Sequence, residues 1–103
     1  QGHSTSQVDI AYTETEPPEI LYHGTAQRFA EAIEQQGLLP GSRHYVHLSG
    51  DVETAVAVGS RHGKPLVLKV QAGLMRRQGF VFYLTANKVW LIKEVPPQFL
   101  RQM

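Results

Sequence analysis

Residues 65–92 read PLVLKVQAGLMRRQGFVFYLTANKVWLI. The stretch opens on a nearly continuous apolar run, which predicts a buried strand over 65–70. Further β-rich runs predict strands at 80–83 and 89–92, and a helical turn over 74–79 comes before them. Short strands at this hairpin-like spacing favour an α+β fold with a mostly antiparallel sheet over a doubly wound α/β fold.

Two short helices are predicted before this stretch. Apolar residues at helical spacing indicate a helix over 26–36, with Thr25 as its N-cap and Gly37 as its left-handed end. A second helix with a small, apolar face follows Ser49 or Asp51, either of which can cap it. The sequence contains no internal repeat and no low-complexity tract, so we expect one domain.

Three more strands are predicted, at 8–12, 19–23 and 45–49. The last has a polar face that carries Tyr45, His47 and Ser49, opposite an apolar face. Such a strand is typical of a lined cleft over a core.

Arg43 lies at the entrance to the strand at 45–49. A guanidinium is a planar fork that binds phosphate at two points, so Arg43 is a candidate anion ligand. A weak surface ion pair is the more common role of a single arginine, and both interpretations stay open at this point.

The composition limits the class of protein. The chain has 103 residues, a formal net charge of +1 and no cysteine, which excludes a disulfide scaffold and thiol chemistry. The first 27 residues contain no lysine or arginine, whereas the later part is basic, which can serve an anionic ligand but is not the broad basic face of a duplex binder. We expect a soluble, cytoplasmic monomer without a membrane span or signal peptide, and a start at Gln1 rather than Met suggests a fragment.

The run Tyr22-His23-Gly24-Thr25 leads from a strand through glycine into the first predicted helix. Gly24 allows a ligand to approach the backbone, and its neighbours supply polar groups at a helix N-terminus. A core histidine followed by an ordinary N-cap is the alternative. We expect no metal site at His44, His47 and His62, because the first two point to opposite faces of a strand and no carboxylates cluster with them.

Four motifs together resemble one family. YHGT at 22–25, GLLPGSRHYVHLS at 37–49, VGSRHGKPLVLKV at 58–70 and NKVWL at 87–91 resemble the RNA 2′-phosphotransferases of the KptA family. The opening QGHS at 1–4 is similar to the hinge between the two lobes of that family. The resemblance implies an ADP-ribosyltransferase-like fold, because YHGT followed by a helix also resembles the first NAD motif of the diphtheria-toxin-like transferases.

The resemblance implies a reaction in two steps with NAD as co-substrate. The 2′-phosphate of a spliced RNA attacks the nicotinamide ribose and expels nicotinamide, leaving an RNA-phospho-ADP-ribose intermediate. The ribose 2″-hydroxyl then attacks the phosphate, which releases 2′-OH RNA and ADP-ribose 1″,2″-cyclic phosphate.

The resemblance also assigns roles to individual residues. Arg43 matches the arginine that stabilises the phosphate in the second step. The NAD-contacting positions match His23, Gly24, Thr25, His47, Leu48, Ser49, Arg61, Asn87 and Val89. Toxin-like transferases that modify proteins usually have glutamate where Val89 stands, so the match favours a phosphate acceptor.

Two departures from the family pattern bear on these expectations. Lys88 replaces the usual glycine of the turn at Asn87-Lys88, and a left-handed backbone there costs roughly 1 kcal/mol or more. No stretch matches the RNA-binding N-terminal lobe, which supplies an Arg-His pair and a further arginine. We therefore interpret residues 1–103 as the NAD-binding lobe alone, which meets 2′-phosphorylated RNA through the missing lobe. A stand-alone ADP-ribosyltransferase and a non-catalytic ADP-ribose-binding module remain alternatives.

Overall fold

The computed structural model describes residues 12–103. Seven strands are present there: β1 (Thr13–Glu14), β2 (Leu21–Ala26), β3 (Val46–Leu48), β4 (Pro65–Val70), β5 (Tyr83–Leu84), β6 (Trp90–Ile92) and β7 (Leu100–Gln102). Three α-helices, α1 (Ala30–Gln36), α2 (Val52–Ser60) and α3 (Ala72–Arg77), and two 3-10 turns, Gln27–Phe29 and Pro97–Phe99, connect them. The expected α+β class is confirmed. The helical turn predicted over 74–79 is a third short helix, α3, besides the two helices expected.

Every strand pair in these residues is antiparallel. One sheet has the order β1-β5-β6-β3 and the other the order β2-β4-β7. The two sheets meet where Tyr22 and Ser49 exchange backbone hydrogen bonds of 2.8 and 2.7 Å. Apolar side chains from both sheets form one core, in which Leu21, Leu48 and Phe82 are fully buried. The join of the sheets therefore brings the YHGT and RHYVHLS motifs side by side.

The prediction that Thr25 caps the first helix is wrong. Strand β2 continues through Gly24 to Ala26, so Thr25 is a buried strand residue paired with Leu66. A 3-10 turn, Gln27–Phe29, precedes α1, and neither has a side-chain cap. The strand continues because the adjacent strand β4 supplies partners along its whole length, and this pairing outweighs the local capping preference of threonine.

The remaining elements lie close to their predicted positions. Strand β4 matches the predicted run, and Asp51 caps α2 by accepting a 2.8 Å hydrogen bond from the Thr54 amide. In place of the strand expected at 80–83, the structure has β5 at Tyr83–Leu84, because these are the residues of this segment that pair with the neighbouring strands β1 and β6. The strand predicted at 8–12 lies outside the described residues except for Tyr12, which is not part of a strand. No helix in the described part of the chain is long and apolar enough to cross a membrane.

The turn between β5 and β6 places Lys88 in the left-handed region, with a φ of 68°. The Lys88 amide donates to the Thr85 carbonyl, and the Thr85 amide donates to the Val89 carbonyl. This is the three-residue hairpin in which a type I turn is followed by a left-handed residue, a position that favours glycine.

We expect Lys88→Gly to raise the free energy of unfolding by about 1 kcal/mol, because it relieves this left-handed strain. Lys88→Ala is the matched control, since it removes the same side chain but keeps the strain. Urea unfolding of the three proteins measures the effect. Equal gains from glycine and alanine would show that the backbone conformation is not the cause.

Candidate functional site

A cavity of about 630 Å³ opens at the join of the two sheets. Its walls come from β2, the loop at 38–40, β3, the face of α2 that carries Thr54 and Val58, and Arg61 directly after that helix. The volume lies within the range of roughly 300–1,000 Å³ that ligand pockets occupy. A second cavity of about 360 Å³ lies between α1 and β7, and its lining includes none of the sequence-predicted site residues.

Three side chains in the larger cavity are linked through His47. The Nδ1 atom of His23 lies 2.9 Å from the carbonyl oxygen of His47, so this nitrogen carries the proton and donates. Nη1 of Arg43 lies 3.0 Å from Nδ1 of His47. Residues that are distant in the sequence are therefore joined into one polar chain.

Burial lowers the pKa of His23, because desolvation disfavours the imidazolium. The hydrogen bond to the His47 carbonyl opposes this shift, and the nearby His47 and His62 add to it. The pKa of His47 is also lowered, first by desolvation and then by the positive charge of Arg43. Both imidazoles are consequently neutral near pH 7.

The lowered pKa of His23 makes stability depend on pH in a defined direction. Because folded His23 resists protonation, the free energy of unfolding should fall as the pH drops below the unfolded value of about 6.5. We expect His23→Asn to show a smaller loss of stability between about pH 7 and pH 5 than the unmodified chain. His44→Asn, at an exposed position, is the histidine control. Urea unfolding midpoints at the two pH values test this, and an unchanged pH dependence in His23→Asn would contradict it.

The charge of the cavity lining has one sign. The positive charge comes from Arg43 and Arg61, and no aspartate or glutamate is among the described residues that form the lining. A concave site with uncompensated cations attracts anionic groups such as phosphates. The site is therefore suited to an anionic ligand.

The structure brings nearly all of the sequence-predicted site residues together. Those that line the cavity are His23, Gly24, Thr25, Arg43, His47, Leu48, Ser49, Arg61 and Val89. Asn87 does not line it, and lies in the exposed β5–β6 turn. The side chain of Leu48 belongs to the core, so this residue offers a ligand its backbone.

The sequence reasoning missed several residues of the lining. Thr54 and Val58 of α2 precede Arg61, the C-cap of that helix, at helical spacing and so lie on the same side, a signal that was available from the position of Arg61. Phe29 and Leu39 are exposed apolar residues at the cavity, and no sequence pattern distinguished them from core positions. Within residues 12–103, no three potential ligand side chains come together in a way that could hold a metal ion.

The chain matches a known protein family. Residues 1–94 match the family model described as RNA 2'-phosphotransferase, Tpt1 / KptA family. A curated relative from Pectobacterium carotovorum, named "Probable RNA 2'-phosphotransferase", is 59% identical over 97% of this chain. Relatives of the same name from Burkholderia lata and Escherichia coli are 54% and 55% identical over 100% and 97% of the chain.

The matched region is only part of those relatives. It covers 54% of the Pectobacterium carotovorum protein, 53% of the Burkholderia lata protein and 54% of the Escherichia coli protein. The chain thus spans about half the length of the curated relatives that it matches.

Proposed function

This chain belongs to the RNA 2'-phosphotransferase, Tpt1 / KptA family, and on that premise we propose that it forms the NAD-binding lobe of such an enzyme. The lobe has an ADP-ribosyltransferase-like fold and uses NAD as co-substrate. The complete enzyme moves a 2′-phosphate of the tRNA splice-junction type from RNA to NAD. It yields 2′-OH RNA, nicotinamide and ADP-ribose 1″,2″-cyclic phosphate.

The observation that carries the proposal is the cationic, carboxylate-free lining of the cavity. A pyrophosphate and a transferring phosphate are both anionic, and guanidinium groups stabilise them best when no acid competes. Arg43 and Arg61 supply those groups, and the neutral imidazoles of His23 and His47 supply hydrogen-bonding nitrogens beside them. The residues present therefore fit NAD, which supplies the ribose that accepts the phosphate.

Val89 supports a phosphate rather than a protein side chain as the acceptor. It lines the cavity, and it occupies the position where protein-modifying transferases usually place a glutamate. An aliphatic side chain cannot accept a hydrogen bond from a ribose hydroxyl or activate an acceptor. This favours the RNA 2′-phosphotransferase over a protein-modifying enzyme.

The proposal divides the work between two lobes. The chain spans about half the length of its relatives, which supports assigning the RNA-binding lobe, with its Arg-His pair and further arginine, to a part of the enzyme outside this chain. We therefore expect these 103 residues to bind NAD and ADP-ribose without transferring the 2′-phosphate of RNA.

Calorimetric titration of the chain with NAD and ADP-ribose tests the binding. Arg61→Ala should weaken both ligands about tenfold, as expected for the loss of a charged hydrogen bond at an accessible site. Arg76→Ala, an exposed arginine on α3 outside the cavity, is the matched control. A chain that binds neither ligand would contradict the proposal.

An assay for transfer of a labelled 2′-phosphate from RNA to ADP-ribose 1″,2″-cyclic phosphate tests the division into lobes. Full turnover by the chain alone would contradict the assignment of one lobe. Transfer of label from NAD to a protein or to a terminal phosphate, without a second lobe, would favour a stand-alone ADP-ribosyltransferase instead.

A further inference from the structure

The guanidinium of Arg43 has one side-chain partner within residues 12–103. Its backbone belongs to an irregular loop, where the Arg43 amide donates to the Pro40 carbonyl at 3.0 Å, and its side chain is exposed. Nη1 lies 3.0 Å from Nδ1 of His47, and no carboxylate of the described residues pairs with it. The ion pair in that part of the chain joins Arg77 and Glu19, outside the cavity.

The hydrogen-bonding groups of Arg43 determine the charge and the tautomer of the His47 ring. A guanidinium carries only donors and keeps its proton at any ordinary pH, so Nδ1 of His47 must be the acceptor. The imidazole is therefore neutral, with its proton on Nε2. The structure thus determines a tautomer that the sequence alone could not.

His47 is better fixed than the arginine that it contacts. Its backbone lies in β3, where it pairs with Leu91 of β6. Its carbonyl oxygen also accepts the hydrogen bond from Nδ1 of His23. A long arginine side chain loses up to about 2 kcal/mol of rotamer entropy when it is fixed, and a contact to a rigid strand offsets that cost before a ligand arrives.

The chemistry of the acceptor matters as much as its position. A carboxylate at residue 47 would hold Arg43 more strongly, but it would cancel the positive charge that a phosphate needs. A neutral imidazole orients the guanidinium and leaves its charge unopposed.

We propose that His47 is a positioning residue for Arg43, which it holds at the cavity through Nδ1 while leaving the guanidinium charge free for the phosphate that is transferred. The hydrogen bond and the tautomer follow from the geometry alone. The effect on phosphate transfer rests on the proposed function, so the two are tested separately.

The first test is long-range ¹H–¹⁵N NMR of the histidine rings in the 103-residue chain. We expect the His47 signals of an imidazole that is protonated at Nε2 and unprotonated at Nδ1. Arg43→Ala should shift that pattern toward a mixture of tautomers, whereas Arg76→Ala should leave it unchanged. A proton on Nδ1 of His47 in the unmodified chain would overturn the proposal whatever the protein's activity.

The second test measures transfer in a protein with both lobes, made by joining this chain to the part of the Pectobacterium carotovorum relative that it does not match. His47→Ala should slow consumption of the RNA-phospho-ADP-ribose intermediate by about tenfold to a hundredfold, the effect of losing a hydrogen bond to a charged group. His47→Asn should recover much of the rate, because its amide oxygen lies near the position of Nδ1. His47→Asp should be at least as slow as His47→Ala, because it holds Arg43 but neutralises it.

Two comparisons separate positioning from simple binding. The KM for NAD should change less than the rate of the second step in His47→Ala, and His44→Asn should match the unmodified protein in both. A variant that raises the KM for NAD without slowing the second step would overturn the positioning role. Absence of any transfer by the unmodified two-lobed protein would count against the proposed function, and the NMR result would still decide the tautomer.

Discussion

Replacing Arg43 with alanine is expected to slow the second step of phosphate transfer by roughly 10²–10³-fold, the cost of removing one preorganised donor from a transition-state charge. In the first step the RNA phosphate attacks the ribose of NAD. In the second step the ribose hydroxyl attacks that phosphate, which gains negative charge in the transition state, and this is the charge that Arg43 is proposed to stabilise. The RNA-phospho-ADP-ribose intermediate should therefore accumulate. This expectation rests on the proposed function and on the position of Arg43 in the carboxylate-free cavity.

Quenched time points with RNA labelled at the 2′-phosphate measure the intermediate and the product in the two-lobed protein. Arg43→Lys keeps a charge but not the planar fork, so it should recover only part of the rate. Arg76→Ala is the control for removal of an exposed arginine. If Arg43→Ala completes both steps at the normal rate, Arg43 has no role in the chemistry.

The fold class could be predicted because the apolar runs have the length and spacing of antiparallel strands. The run at 65–70 became β4, and the run at 89–92 became β6 but for its first residue. Boundaries that depend on a partner strand were less accurate, as the shift of the strand at 80–83 to β5 shows. Pairing partners are set by tertiary structure, which local periodicity does not contain.

Because the motifs resembled those of a family, the sequence offered more candidate site residues than the chemistry of the individual residues alone. From residue chemistry alone, a surface ion pair was the more common role for Arg43, and a core histidine was the alternative for His23. The structure shows both at one cavity, and it shows His23 donating to the His47 carbonyl at 2.9 Å. Contacts between residues this far apart in sequence depend on the join of the two sheets at Tyr22 and Ser49.

Gly24 has a structural role that the sequence reasoning did not identify. The motif suggested that glycine lets a ligand approach the backbone. In the structure, α2 lies directly over this position, and a Cβ at residue 24 would overlap the Ala55 carbonyl oxygen and lie 2.6 Å from the Ala55 carbonyl carbon. Gly59 lies on the helix side of the same contact, and a Cβ at residue 59 would lie 2.6 Å from the Thr25 carbonyl oxygen. The two glycines allow helix and strand backbones to touch.

Gly24→Ala is therefore expected to lower the free energy of unfolding by at least about 3 kcal/mol, because backbone atoms cannot move aside as a flexible side chain could. A loss of this size is a large part of the roughly 5–15 kcal/mol that a small domain has in total. Helix α2 also carries Thr54 into the cavity and positions Arg61 at its C-cap, so its displacement should remove NAD binding as well.

Urea unfolding followed by circular dichroism measures this loss, with calorimetric titration of ADP-ribose as the second readout. Gly50→Ala is the matched control, because the nearest atom to a Cβ there is Nε1 of Trp90 at 4.0 Å, and this variant should change stability by less than about 0.5 kcal/mol. If Gly24→Ala is as stable as Gly50→Ala, then the close packing of α2 on β2 is not what requires glycine at this position. If Gly24→Ala is stable but no longer binds ADP-ribose, the glycine serves the ligand directly, as the motif alone had suggested.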